Sequence, residues 1–165
     1  MNITIRQIKI EDLDRVTEIE RICFPEAEAA TRESFKKRIN TFQESFFVAE
    51  KDNEIIGFIN GCVTNETTIL DELYEDSSLH VQAGNYQTIF GLDVLPEYRN
   101  QGIAAKLMNH IINISKISKR KGIILTCKKK LIHYYEKFGY VNKGLSKSVH
   151  GGVNWYDMVL SFEIE

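Results

Sequence analysis

Isoleucines at positions 3, 5, 8 and 10 alternate with polar residues, which predicts a first strand whose parity changes after Ile5, as at a bend or bulge. The spacing then lengthens. Leu13, Val16, Ile19 and Ile22 recur at helical intervals behind Glu11, Asp12 and Asp14, and acidic residues suit the first turn of a helix. That helix should end near Cys23, ahead of Pro25. After a loop over residues 26–30, Thr31 is placed to cap a short helix presenting Phe35 and Ile39. Residues 45–50 and 55–63 are apolar, β-rich runs joined by Lys51-Asp52-Asn53-Glu54, so a hairpin is expected. From residue 64 to 85 the pattern breaks down, and Asp71, Glu72, Glu75 and Asp76 gather around Leu70, Leu73 and Tyr74. Read plainly this is a solvated loop or short helix; read more sharply it is a funnel that draws in a cation.

Residues 86–95 are apolar on both alternations, as a central strand covered on both faces should be. Pro96-Glu97-Tyr98 turns the chain into a helix from Gly102 to about Ser118, in which Ile103, Leu107 and Ile111 stand beside Ala104, Met108 and Ile112. Lys119-Arg120-Lys121 suits its C-terminal end, and Gly122 can terminate it. Residues 123–127 form a short buried strand. Leu131, Tyr134, Tyr135 and Phe138 then share one side of a short helix stopped by Gly139, and residues 140–149 and 154–164 close the chain as strands around His150-Gly151-Gly152. The order describes an α/β (α+β) fold with no internal repeat.

A chain of 165 residues with 43% hydrophobic content suits one domain over residues 1–165. A formal charge of -2, from 21 basic and 23 acidic residues, supplies no basic field for nucleic acid and no polybasic membrane anchor. Cys23, Cys62 and Cys127 fit no zinc or disulfide spacing and read as reduced core thiols. With no signal-peptide core and no apolar run of the ~18 residues a membrane span needs, a cytoplasmic location is expected.

The start of the helix at Gly102 carries the chemistry. Its first amides lack partners, the helix dipole is positive there, glycine and alanine leave room for an approaching anion, and Arg99 adds a fixed charge. One glycine is too few for a dinucleotide fingerprint, and no Gly-Lys-Ser/Thr follows as in a Walker loop, which argues against a nucleotide-dependent phosphotransferase.

The string Gly91-Leu92-Asp93-Val94-Leu95-Pro96-Glu97-Tyr98-Arg99-Asn100-Gln101-Gly102-Ile103-Ala104 resembles the acetyl-CoA motif of the GCN5-related N-acetyltransferases (GNAT). Further on, Tyr134-Tyr135-Glu136-Lys137-Phe138-Gly139-Tyr140 resembles the other signature of that family. The resemblance implies a GNAT fold: a single mixed, mostly antiparallel central sheet of about seven strands flanked by about four helices, with the strands at 86–95 and 123–127 splayed to admit pantetheine. It also implies acetyl-CoA as cosubstrate. The amides of Asn100, Gln101, Gly102, Ile103, Ala104 and Ala105 would cradle the pyrophosphate beside Arg99, and the strand at Leu92, Asp93 and Val94 would pair with pantetheine and point an amide at the thioester carbonyl. Tyr135 takes the family's tyrosine position, where a phenol protonates the departing thiolate, and the segment holding Glu26 and Glu28 forms a wall of the acceptor site.

The stretch from Leu79 to Gly102 more closely resembles the arylalkylamine N-acetyltransferase branch, whose two strand histidines are replaced here by Thr88 and Phe90. Thr88 could hold a water in their place, and His80, Glu26, Glu28 and Asp93 are the candidate bases; His110, His133 and His150 read as surface or packing residues. The expected activity is transfer of acetyl to a primary amine, a small one such as a polyamine or arylalkylamine, by direct attack, since no Cys-His pair suggests an acyl-enzyme. A protein or peptide acceptor and a non-catalytic acyl-CoA-binding module are the alternatives. No metal, nucleic acid or membrane partner is expected, and the chain would act as a monomer or homodimer.

Overall fold

The computed structural model describes residues 2–162. Its elements begin with β1 (Thr4–Gln7), α1 (Leu13–Cys23), α2 (Arg32–Phe42), β2 (Phe46–Lys51), β3 (Glu54–Asn60), β4 (Val63–Thr64) and α3 (Asp71–Glu75). They continue with β5 (Tyr86–Ile89), β6 (Gly91–Val94), α4 (Ile103–Ile117), β7 (Gly122–Cys127), α5 (Ile132–Glu136), β8 (Val141–Leu145) and β9 (Tyr156–Ser161). The end of the last expected strand, at Glu163 and Ile164, lies outside the described residues.

Local chemistry explains most boundaries. Thr31 caps α2 by accepting from the Ser34 amide, as its position predicts. Asp52 and Asn53 take φ values of 51° and 64°, the left-handed pair that turns a tight hairpin between β2 and β3. Helix α4 ends at Ser118 as expected, but Gly122 does not terminate it: Lys119 adopts φ 60° and the Arg120 amide bonds back to the Ser115 carbonyl. Gly122 instead opens β7, where a Cβ would lie 2.3 Å from the Leu160 carbonyl oxygen of β9.

The expected arrangement, mixed and mostly antiparallel with flanking helices, is present, but the one sheet is parted into two. β1-β2-β3-β6 form an antiparallel sheet, and β4-β5-β7-β9-β8 form a second in which β5 and β7 run parallel. The division falls at Phe90, in the middle of what reads as one strand. There the Phe90 amide bonds to the Asn60 carbonyl while the Thr88 amide bonds to the Cys62 carbonyl, so residues 60–64 accompany their neighbour from one sheet into the other. Gly61 makes the crossing possible, because a Cβ at that position would sit 1.9 Å from the Thr88 carbonyl oxygen. The expected strand over 140–149 also ends early. Gly144 has φ 99°, and residues 146–155 leave the sheet as a loop closed by the Ser146 amide on the Trp155 carbonyl.

β2 and β3 carry core on both faces, so helices must cover both. Phe46, Val48 and Phe58 pack against Val16, Ile19, Phe35 and Ile39 of α1 and α2. On the opposite face Phe47, Ala49, Ile56 and Ile59 meet Ile103, Leu107, Met108 and Ile111 of α4, which reaches Ile89, Ile123 and Leu125 of the second sheet as well. Helix α4 therefore fixes the two sheets relative to each other, each buried aliphatic side chain contributing roughly 1.5–3 kcal/mol.

At the edge of the first sheet the Arg6 guanidinium forks onto both oxygens of Asp12, at 2.8 and 3.0 Å, and the Lys9 amide adds a third bond. Burial alone would raise the Asp12 carboxyl, but these donors outweigh it and hold it below its ordinary range. A lowered carboxyl stabilises the fold above its unfolded pKa and stops doing so as the pH falls through the folded value. Asp12→Asn should therefore cost about 1 kcal/mol at neutral pH, given partial solvent screening, with the difference lost in urea titrations as the pH falls through the lowered folded-state value. No helix among the described residues is long and apolar enough to cross a membrane.

Candidate active site

Where β5 stays with β7 and β6 departs with β3, a cleft of about 830 Å³ opens between the sheets. β6 is an edge strand, bonded to β3 on one side, and Leu92, Asp93 and Val94 line the cleft on the other. The register places Gly91 opposite Asn60 and Asp93 opposite Phe58, so Asp93 turns toward α1 and α2. Leu92 and Val94 turn toward α4.

Past β6 the chain makes a short turn over Pro96–Tyr98 and reaches α4 through Asn100 and Gly102, with φ 61° and 80°. Among the described residues no intramolecular acceptor takes the backbone amides from Asn100 to Ala105. Asn100, Gly102, Ile103, Ala104 and Ala105 face the cleft, and nothing lies within 4 Å of where a Gly102 Cβ would be. These free amides at the positive end of a 15-residue helix fit an anionic pyrophosphate. Gln101 lies outside the lining; its side chain reaches back to the Glu97 carbonyl. Arg99 stays at the rim, its Nε donating to the Val94 carbonyl at 2.9 Å.

Tyr135 on α5 lies across the cleft from β6, and its hydroxyl has no hydrogen-bond partner among the described residues. Burial foremost, then the neighbouring Cys127, pushes the phenol well above its ordinary range, so it is protonated throughout the neutral region. Cys127 and Cys23 also line the cleft, and burial raises both thiols, Cys127 to about 11.

The remaining walls come from α1, α2, α3 and the 146–155 loop. Glu28, facing the cleft as expected, is paired with Lys128 at 2.9 Å, and its carbonyl accepts from the His150 ring. His150 stacks on Tyr74 with centroids 5.6 Å apart, and the Trp155 indole donates to the His150 carbonyl. Asp71 of α3 ties this loop down by accepting from the Ser148 hydroxyl and the Val149 amide. That use of Asp71, with only Glu75 of the four acids lining the cleft, takes away most of the cation funnel expected over residues 71–76. His150, read from sequence as a surface or packing residue, packs on Tyr74 and does so within the site wall. The other two lone histidines do pack or face solvent, His110 against Phe47 and His133 beside Glu136.

Three expected site residues lie elsewhere. Thr88 is fully buried in the sheet junction, where its hydroxyl donates to the Cys62 carbonyl, so it is not placed to hold a water in the cleft. His80 accepts the Val63 amide on Nδ1 and packs on Phe42, away from the lining. Glu26 is exposed on the turn after α1, outside the cleft.

Two further site residues are not among those the sequence motifs pick out. Glu20 and Arg38 are 7% and 6% exposed and border the cleft beside Asp93 and Phe90. A signal for them does exist: Glu20 continues the buried stripe Leu13, Val16, Thr17 of α1, and Arg38 sits within Phe35, Ile39, Phe42 of α2. A charged residue inside a buried stripe needs a partner. Arg38 donates to the Asn60 side chain and the Tyr74 carbonyl and covers the Phe90 ring at 4.9 Å. Burial, with the Glu20 carboxylate beside it, holds Asp93 well above the usual carboxylate range. Among the described residues no three His, Cys, Asp or Glu side chains gather as a metal site.

Residues 13–140 match the acetyltransferase (GNAT) family. The probable hydrolase YhcX of Bacillus subtilis is 25% identical over 167 residues, covering 97% of this chain and 32% of its own. An N-alpha-acetyltransferase of Saccharolobus solfataricus is 30% identical over 105 residues, 64% of this chain and 58% of its own. The chain thus spans about a third of one curated relative and under three fifths of the other. Among solved structures, the loading GNATL domain of CurA from Lyngbya majuscula superposes with a TM-score of 0.83 at 18% identity over 98% of each chain. The PaiA N-acetyltransferase of Thermoplasma acidophilum, in complex with coenzyme A, does so with a TM-score of 0.74 at 20% identity over 98% of this chain and 100% of that one. At such identities the likeness concerns the fold.

Proposed function

Because the chain belongs to the acetyltransferase (GNAT) family, we propose that it moves the acetyl group of acetyl-CoA to a small primary amine by direct attack of nitrogen on the thioester. One observation carries the reading: a protonated, partnerless Tyr135 hydroxyl stands in the same cleft as the free amides that begin α4. Those amides and Arg99 would receive the pyrophosphate, and the open edge of β6 would pair with the pantetheine and offer a backbone N–H to the developing oxyanion. Tyr135 then protonates the leaving thiolate. An acyl-cysteine route is disfavoured because burial keeps Cys23 and Cys127 protonated, and a thiol is a far weaker nucleophile than its thiolate.

The loop over residues 146–155 roofs the acceptor end, which favours a small amine over a lysine on a folded protein. The cleft lining includes Tyr74, Phe90 and Trp155 but only one of the four acids of residues 71–76, so arylalkylamines, the class of the branch resembled by residues 79–102, rank above polyamines. A peptide α-amine is the second reading, supported by the archaeal N-alpha-acetyltransferase relative.

The test is CoA release from acetyl-CoA against arylalkylamines, polyamines, amino acids and short peptides. Amine-dependent release, greatest with arylalkylamines, is the expected result. Tight acetyl-CoA binding without release by any amine would replace this reading with that of a non-catalytic acyl-CoA-binding module.

A further inference from the structure

Beneath the cleft, Asn60 Nδ2 has no hydrogen-bond partner among the described residues, and Glu20 Oε1 and the Asp93 carboxyl oxygens have none but the proton that the two acids can share. Glu20 is 7% exposed, and Asn60 and Asp93 are 1% exposed. A shared proton satisfies one oxygen of each acid, which leaves Asn60 Nδ2 and the second Asp93 oxygen open, and buried polar atoms are nearly always satisfied, so these two mark room for an absent occupant. All three side chains converge on Gly91: a Cβ there would lie 3.2 Å from Asp93 Oδ1, 3.5 Å from Asn60 Nδ2 and 3.9 Å from Glu20 Oε1. Gly91, Glu20 and Asp93 all border the cleft, so the niche opens into it.

The opposite ends of two of these side chains are anchored, which fixes the direction of the free atoms. The Ala30 amide holds Glu20 Oε2 at 2.8 Å, and Arg38 holds Asn60 Oδ1 at 3.0 Å. Arg38 is itself fixed by the Tyr74 carbonyl and the Phe90 face.

We propose that this niche seats the amino group of the acceptor and that Asp93, with Glu20 beside it, takes up the proton the amine must lose. The proposal rests on the acetyltransfer reading and supplies the base that reading lacks. An alkylamine with a pKa of about 10.4 arrives as an ammonium, which cannot attack until deprotonated. One N–H bond of the ammonium breaks and an O–H bond forms on Asp93. The freed lone pair attacks the thioester carbon, the C–S bond breaks, and Tyr135 gives its proton to the sulfur. The second nitrogen proton returns to Tyr135, the third stays on the amide, and Asp93 releases its own to solvent.

The charged and titratable groups around Asp93 are Glu20 and Cys23 from α1, Arg38 from α2 and Tyr135 from α5. Burial and Glu20 make ionised Asp93 a stronger base than a solvated carboxylate, and the nearby Arg38 opposes but does not cancel this.

Asp93→Asn and Gly91→Ala test the proposal. Alanine at 91 keeps both carboxyls and fills the niche with a methyl group, whose 3.2 Å approach to Asp93 Oδ1 requires that side chain to give by a few tenths of an ångström. Asp93→Asn should lower kcat/KM for the amine about 10²-fold or more and remove the acid limb of its pH profile. Gly91→Ala should raise the amine KM about tenfold, well beyond any change in acetyl-CoA affinity. Variants that keep the wild-type pH profile and amine KM would overturn the proposal while leaving acetyltransfer standing. A second readout needs no turnover: ethylammonium titrated into protein carrying ¹³C-labelled aspartate carboxyls. It should move the Asp93 resonance in the wild type and not in Gly91→Ala. No movement in the wild type would mean that the niche holds water alone, and would overturn the proposal even where the amine panel is silent.

Discussion

Tyr135→Phe is expected to lower kcat for amine-dependent CoA release by about 10²- to 10⁴-fold, the range that general acid catalysis commonly supplies. Acetyl-CoA affinity should be unchanged, because the proposed contacts to the cosubstrate come from the α4 amides and the β6 backbone. Stability should also hold. The Tyr135 hydroxyl bonds to nothing in the described structure, so its removal strands no partner, and the ring keeps its edge-on packing with Tyr134 and Tyr140 at 5.3 and 5.9 Å. A hydroxyl that served packing alone would leave turnover intact, and full kcat in a variant that still binds acetyl-CoA would remove Tyr135 from the mechanism. The pH profile adds a sign. Burial lifts this phenol above its ordinary value, so a basic limb near pH 8 or 9 in the wild-type rate would belong to another group.

Gly61→Ala should destabilise the protein by about 3 kcal/mol or more, the largest effect expected of any single methyl addition described here. The new Cβ would lie 1.9 Å from the Thr88 carbonyl oxygen and 2.7 Å from the Thr88 hydroxyl. Neither can retreat. The Gly61 amide bonds to the Ser45 carbonyl, its own carbonyl accepts from Gln87, and Thr88 is tied to Cys62 through both its amide and its hydroxyl. Relief therefore requires parting the junction that joins the two sheets. Urea denaturation would register this as a lowered midpoint, and a midpoint equal to wild type would mean that the junction yields far more readily than its bonding implies.

Much of the architecture is legible in the order of residues alone. The stripes of α1, α2 and α4, the Thr31 cap and the Asp52-Asn53 turn all follow from local rules, and local rules govern them in the folded chain. The division of the central strand is not legible, because apolar residues on both alternations describe a covered strand without saying which sheet covers it. That one break explains the misplaced Thr88. Thr88 and Phe90 share parity and would share a face in a continuous strand, yet the break turns Phe90 into the cleft and leaves Thr88 inside the junction. The cradle at Gly102 and the tyrosine at 135 stand in contiguous motifs. Glu20, Arg38, Tyr74, His150 and Trp155 instead reach the cleft from four separate segments, and only tertiary packing brings them together.

The parting of the sheets also acts as a sieve on shape. An unpaired strand edge ordinarily invites any other chain to add to the sheet. The free edge of β6 faces the cleft, whose other walls come from α4, β7 and the loops of α1 and α2. Only something thin and flexible, about as wide as one extended chain, can slide in and use those backbone groups. The pantetheine arm has that form, so the fold turns a feature that elsewhere leads to aggregation into selection by width.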